Sequence, residues 1–369
     1  YSRSSPTTAS APRSGAGVDS AVSEGDDAPL GLVRPPGIPA DAILRVIRVP
    51  PESEGMRLDV FLPTQLRNTS RTRARSIIDN TAYSAAGKKL RHNDRVRAED
   101  RVVLWRLPFE EQDTAREIAI VFEDEHLLVV DKPPLMAVHP TARHHHATVV
   151  KLLGKSRPGQ FLSLIHRIDR ETSGLLLLAK TAEADRRFKR KLEDRTTGAR
   201  QRDGALELEK DYLAITWGTP QSGFVVLPLE PDLDNPLRVK MRVATGAGLD
   251  ARTEVLVLES RGGYALSRCR LHTGRQHQIR IHLAVTGTPI VGDKLYGPDE
   301  RMLARAADGE LSEDDLARLE LPRHALHAHR YRMIHAVTGE RLELESARAS
   351  DLQAFWDERV NSRSAPILR

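Results

Sequence analysis

Apolar positions fall into three regimes along the chain. Residues 1–40 are rich in Ser, Ala, Pro, Gly and Thr and show no apolar period, so they are expected to form a disordered tail. From Met56 the pattern is helical. Leu58, Phe61, Leu62 and Leu66 fall on one face of a short helix, and a second helix, N-capped by Ser70, carries Arg71, Arg73 and Arg75 ahead of Ile77 and Ile78. A turn at Gly87-Lys88-Lys89 and a strand over 101–105 complete a small domain expected at 41–110.

Beyond residue 115 strands dominate. Ile118, Ile120 and Phe122 alternate, and 127–130 reads as a buried strand. Further strands are predicted at 162–168, 174–179, 212–217, 238–243, 253–259 and 264–271, with helices at 148–153, 182–192 and 275–284. The acidic stretch 298–321 reads as a helical insertion. Many short strands with few helices between them predict an α+β domain over 115–369, built on a mixed, largely antiparallel sheet with flanking helices.

Charge sharpens the division. The chain carries +5 overall, yet residues 56–107 hold ten Arg and two Lys against four Asp and one Glu, a net of +7. The remainder is slightly acidic. A positive excess confined to one small domain is the electrostatic footprint of phosphate binding, although a solvated basic face gives the same count. One cysteine, Cys269, excludes an internal disulfide and reads as a small core residue of a reducing compartment. No apolar run approaches the ~20 residues of a membrane helix. The first 40 residues lack the apolar core of a signal peptide, and Asp19, Glu24, Asp26 and Asp27 argue against a transit peptide.

The chemistry concentrates in His166-Arg167-Ile168-Asp169-Arg170-Glu171-Thr172-Ser173-Gly174, which runs into Leu175–Leu178. One carboxylate, Asp169, stands among two arginines and a histidine ahead of a buried strand, and nearby cations keep such a group ionised as a nucleophile or base. A turn aspartate capping Glu171-Thr172-Ser173 is the local alternative. The stretch resembles the catalytic signature of the RluA-type pseudouridine synthases. Asp131-Lys132-Pro133-Pro134 with Val138-His139-Pro140, Lys210-Asp211-Tyr212 and Leu271–His282 resemble the family's other motifs in the same order. The small domain resembles the αL RNA-binding domain named for a small-subunit ribosomal protein, with Tyr83-Ser84-Ala85-Ala86-Gly87 departing from its usual Val-x-Val-Asn-Gly.

The resemblance implies that uridine in structured RNA is isomerised to its C5-glycoside with no added cofactor. Asp169 would act as nucleophile on C1′ or as base on the 2′ proton. Arg167, two positions earlier, would share its face on an extended strand and enter the helix that the flipped nucleotide leaves. Tyr212 would lie against the uracil, although alone it would read as sheet core. Arg280, a cation within a helix, needs a partner, and the resemblance makes that partner Asp169. Thr273-x-x-Gln276 predicts a capping box, with a helix from Arg275 whose first amides and guanidinium receive a phosphate. His277 and His282 read as structural hydrogen-bonders. Arg71, Arg73 and Arg75 would contact RNA phosphates.

Two other patterns are set aside. His144-His145-His146 cannot all face one ion, so no metal site is expected. Gly154-Lys155-Ser156 lacks the glycine that a phosphate loop requires at position 149. The expected partner is RNA, large-subunit ribosomal RNA ahead of transfer RNA, in a cytoplasmic monomer with no membrane or protein partner implied. A non-catalytic RNA-binding or assembly factor on the same scaffold is the rival from another class.

Overall fold

The computed structural model describes residues 32–39, 42–66, 69, 71–106, 117–140, 147–197, 208–235, 239–308 and 310–361. Ser70 and the histidines at 144–146 lie outside them. The chain divides into two compact units, Tyr1–Leu107 and Pro108–Arg369.

In the first unit, β1 (Ile43–Arg48) leads to α1 (Leu58–Gln65), α2 (Arg71–Thr81), β2 (Ala82–Ser84) and β3 (Arg101–Arg106). The strands form an antiparallel sheet in the order β1-β3-β2. Leu58, Phe61 and Leu62 of α1 pack on Ile78 of α2 and Leu104 of β3, which is the apolar face expected from their spacing. β3 is buried on both faces. Its second face, Val103 and Trp105, is covered by Leu32, and Val33 N–H donates to the Ala85 carbonyl at 2.9 Å. The tail expected to run to residue 40 is therefore ordered over 32–39, because Trp105 needs an apolar cover that the two helices do not supply.

The second unit is α+β. In chain order it comprises β4 (Ala119–Glu123), β5 (Leu127–Lys132), α3 (Val149–Ser156), β6 (Ser163–Leu164), β7 (Ser173–Ala179), α4 (Ala182–Thr197) and β8 (Leu208–Trp217). There follow β9 (Gly223–Val226), β10 (Leu229–Pro231), β11 (Met241–Val243), β12 (Arg252–Arg261), β13 (Tyr264–Leu271) and α5 (Gln278–Val285). The insertion holds α6 (Met302–Asp308) and α7 (Glu313–Leu319), and β14 (Leu326–Ile334), β15 (Arg341–Glu345) and α8 (Ser350–Asn361) complete the described chain. Among the described residues the large sheet has ten strands, eight of them in the order β4-β5-β7-β14-β8-β13-β12-β9, with β15 on β14 and β6 on β7. Every pairing is antiparallel except β14 with β7.

The leucine run Leu175–Leu178 lies inside this sheet, between β5 and β14, each residue wholly buried, as a strand covered on both faces requires. Three local departures from the sequence reading shape the site. The strand expected over 162–168 stops at Leu164. Ile165 N–H still bonds the Leu177 carbonyl at 3.0 Å, but Leu177 N–H is taken at 3.3 Å by His166 Nε2, a side chain in place of a ladder carbonyl. The backbone is thereby released, so Arg167 and Asp169 sit on a loop rather than a strand. β14 and β15 were not anticipated. Finally, α5 begins at Gln278, three residues later than expected.

Candidate active site

The loop that carries Asp169 is fixed from below. Lys132, wholly buried at the end of β5, donates through Nζ to the carbonyls of Pro133 (2.8 Å), Met136 (2.9 Å) and Arg170 (3.0 Å). Burial pushes its pKa far down, and three carbonyls supply all the acceptors that an ammonium group can use. Beyond the loop, Glu171 meets Lys294 at 2.8 Å, Thr172 Oγ1 meets His324 Nε2 at 2.8 Å, and Ser173 Oγ meets His327 Nδ1 at 3.0 Å. Arg323, also wholly buried, donates to the Glu171 carbonyl at 3.0 Å and grips Asp351 at 2.6 and 2.9 Å. Gly174 has φ 102°, and a Cβ there would stand 2.2 Å from the Ala328 carbonyl oxygen. Only glycine lets β7 approach β14 this closely.

Asp169 projects from this platform with its side chain 29% exposed. Oδ2 accepts from Arg280 Nη1 at 2.8 Å, and Oδ1 faces His277 Nε2 at 3.7 Å. Burial pushes the Asp169 carboxyl up, but His277 and Arg280 outweigh it and hold the pKa at about 2. Burial pushes His277 itself down to about 4, so at neutral pH it is uncharged and Arg280 is the cation beside Asp169. Arg280 is not shared evenly. Its Nε and Nη2 form a fork on the wholly buried Asp293 at 2.7 and 2.8 Å, leaving Nη1 for Asp169. Asp293 Oδ1 also accepts from the Leu295 and Tyr296 amides, at 2.9 and 3.0 Å, so the fork rests on a fixed anchor.

The start of α5 differs from the expected capping box. Thr273 Oγ1 donates to Gln278 Oε1 at 2.7 Å and Arg275 N–H to the same oxygen at 3.0 Å, so Gln278 organises the turn that Gln276 was expected to cap. His277 at the N-cap adopts φ 58°. The Arg275 guanidinium donates to the Asp250 carbonyl at 2.9 Å. His282 is structural, held between Thr253 Oγ1 at 2.9 Å and the Leu227 carbonyl at 3.1 Å.

Tyr212 is buried in β8, its hydroxyl 3.1 Å from that of Tyr331. The ladder pairs Tyr212 with Cys269 and Cys269 with Val255. Tyr212 therefore shares a sheet face with Thr253, to which Gln278 and His282 of α5 are bonded. Arg167 is exposed, and the ion pairs of Asp169 among the described residues are to Arg280 and His277 rather than to Arg167. Cys269 is buried, its thiol pushed up to about 12 by burial and the nearby Asp211. Among the described residues no group of three or more His, Cys, Asp or Glu side chains could hold a metal ion. No helix there is long and apolar enough to cross a membrane.

In the first unit, Asp59 is wholly buried at its side chain and receives Arg57 at 3.0 Å, Arg71 at 3.1 Å and Arg75 at 2.9 Å. Hydrogen bonds from these guanidinium groups hold its carboxyl well below the usual range despite burial. Arg71 and Arg75, one helical turn apart, are oriented by this carboxylate yet remain about half exposed, at 53% and 47%. Arg73 lies off that cluster.

Residues 126–285 match the family described as RNA pseudouridylate synthase. The chain is 32% identical to the ribosomal large subunit pseudouridine synthase D of Nitrosomonas europaea, over 84% of this chain and 86% of that protein. It is 32% identical to the protein of the same name in Pseudomonas aeruginosa, over 85% and 94% of the two chains. For that of Xanthomonas campestris the figures are 30%, 90% and 98%. The chain is a member of the RNA pseudouridylate synthase family, an isomerase that converts uridine in RNA to pseudouridine.

Sequence reasoning missed Asp293, Lys294, Tyr296, Arg323 and His324. The stretch Gly292-Asp293-Lys294-Leu295-Tyr296-Gly297 carries no period, and only the need of Arg280 for a carboxylate pointed toward such a partner.

Proposed function

We propose that this synthase modifies large-subunit ribosomal RNA and that Asp169 is its reacting carboxylate. The Arg280 bridge carries this reading. By engaging Oδ2 while anchored on Asp293, Arg280 keeps Asp169 ionised and leaves Oδ1 as the oxygen presented to the ribose. Whether Oδ1 attacks C1′ or takes the 2′ proton, the balance is the same. The N1–C1′ bond breaks, the uracil turns, C5 bonds to C1′, the C5 proton leaves and N1 gains one. No cofactor is consumed.

A uridine stacked in a helix cannot reach a carboxylate on this loop, so the nucleotide must be extruded at a cost of a few kcal/mol. Exposed Arg167, two residues from Asp169, is suited to fill the vacated stack. In this reading Tyr212 serves as base platform and Arg275 as phosphate contact. The first unit serves as an αL module whose Arg71, Arg73 and Arg75 face phosphates. The names of the relatives favour ribosomal over transfer RNA. Asp169→Asn keeps the fold and abolishes pseudouridine formation in ribosomal RNA fragments, because an amide is neither nucleophile nor base. Near-normal turnover by the folded variant would overturn the role of Asp169. Pseudouridine mapping in cells lacking the protein tests the substrate, and a loss confined to transfer RNA would overturn that assignment.

A further inference from the structure

His277 occupies a position that the isomerase chemistry does not use. It is a non-glycine residue at φ 58°, a conformation L side chains rarely adopt, and its ring is nearly buried beside Asp169. The hydrogen bonds around it fix where its proton sits. The Tyr296 hydroxyl oxygen accepts from the Met241 amide at 2.9 Å and lies 2.9 Å from His277 Nδ1. The phenol has one proton, and among the described residues the acceptor its hydroxyl meets is Nδ1, so Tyr296 donates to Nδ1. A neutral imidazole that accepts at Nδ1 carries its proton on Nε2, the atom 3.7 Å from Asp169 Oδ1. The opposite tautomer would set a lone pair against a carboxylate oxygen.

We propose that His277 is a positioning residue whose Nε2–H, fixed by Tyr296, orients Asp169 Oδ1 toward the ribose. At 3.7 Å the contact is longer than a hydrogen bond in the free enzyme, and such contacts tighten when substrate closes the site. Arg280 alone would let the carboxylate rotate about its one bonded oxygen. A second donor from a separate direction sets its plane. Tyr296 is well placed for both tasks, since the Arg280 guanidinium carbon also lies 5.1 Å above its ring. At neutral pH Arg280 is thus the cation beside Asp169, and His277 the neutral donor that sets its orientation.

This inference rests on Asp169 being the reacting carboxylate, and two readouts separate the claims. The first needs no turnover. Full-length protein with 15N-labelled histidine should show His277 as the Nε2–H tautomer at neutral pH, its signals assigned by their disappearance in His277→Gln. Tyr296→Phe, which removes one oxygen, should give a mixture. An Nδ1–H tautomer in the native protein overturns the proposal whatever Asp169 does.

The second readout is kinetic. His277→Ala should lower kcat by about 10²-fold, the scale of a misplaced reacting group, with KM for the RNA unchanged. His277→Gln, which keeps an N–H donor, should recover part of the loss. Tyr296→Phe should lower kcat less, and the Tyr296→Phe, His277→Ala double variant should be no worse than His277→Ala, because the tyrosine acts through the histidine. Independent, multiplying losses or an unchanged kcat in His277→Ala would overturn the proposal. Asp169→Asn, inactive in the same assay, would leave the reading of the carboxylate standing.

Discussion

Lys294 Nζ lies 2.8 Å from Glu171 Oε1, both side chains are almost fully buried, and the same lysine donates to the Pro322 carbonyl. One ion pair thereby joins the loop after Asp169 to the segment that carries Asp293. Removing one partner leaves a buried, uncompensated charge, which costs about 3–5 kcal/mol. Lys294→Met should lower the unfolding free energy by that amount in urea titrations, and Glu171→Gln in the same chain should return much of it. A loss under ~1 kcal/mol in the single variant would mean that water reaches the pair.

Asp293→Asn addresses the anchor of Arg280. The amide keeps an oxygen for the Leu295 and Tyr296 amides but loses the charge that draws Nε and Nη2. Arg280 should then turn toward Asp169, with kcat down roughly 10- to 100-fold and KM for RNA little changed. Arg280→Lys should be worse, since an ammonium group cannot serve both carboxylates at once. Single-turnover rates with a saturating ribosomal RNA fragment measure both effects.

Acid should destabilise the catalytic unit well above the carboxylate range. Burial holds His277, His324 and His327 at about 4, against roughly 6.5 in an unfolded chain. Between those values the unfolded state binds more protons, so stability is present above ~6.5 and is lost as pH falls toward 4, by at most roughly 3 kcal/mol per histidine. Asp169, held at about 2, adds a further loss only below ~4. Calorimetric Tm values from pH 7.5 to 4.5 should fall steeply, and His327→Asn should flatten the slope while lowering the plateau. A pH-independent Tm over that interval would contradict the buried neutral histidines.

The basic cluster of the first unit gives a separable pair of variants. Arg71→Gln with Arg75→Gln uncovers buried Asp59 as well as removing charge, so thermal stability and RNA affinity should fall together. Arg73→Gln leaves the Arg57, Arg71 and Arg75 pairs of Asp59 in place and should lower RNA affinity. For every phosphate that loses its arginine, the log–log salt slope should drop by about 0.7 to 0.9. Equal slopes for all three chains would mean that these arginines do not touch this RNA.

What could be read from the sequence follows from where the information is local. Leu175–Leu178 and the α1 face announced themselves because burial of a continuous apolar run leaves no other pattern. The second helix was legible from its N-cap signal at Ser70, but the role of Arg71 and Arg75 as ligands of Asp59 was not, since that partner lies 12 and 16 positions away. β14 was missed because His327 and His329 interrupt its apolar alternation, and only Ser173 and Ser346 make a buried histidine acceptable there. β15 did carry an alternating Leu-Glu-Leu-Glu, a signal present and unread. The late start of α5 was invisible because the capping pattern at Thr273 and Gln276 is real as a spacing. Gln278 outcompetes Gln276 through contacts to Thr253 and Arg252, twenty-five and twenty-six positions upstream.

The parallel contact between β7 and β14 sets an order of assembly. Ser173 pairs with His327, 154 positions on, and Arg323 closes on Asp351 after both. During synthesis, a chain released only as far as Arg280 already contains Asp169, Tyr212 and Arg280, yet lacks the strand and the arginine that support the loop. Contacts so distant along the chain form late, once the entropy of closing a long loop has been met. The growing polypeptide should therefore remain catalytically inert until its final strands leave the ribosome, with catalytic competence arriving in one step rather than by degrees.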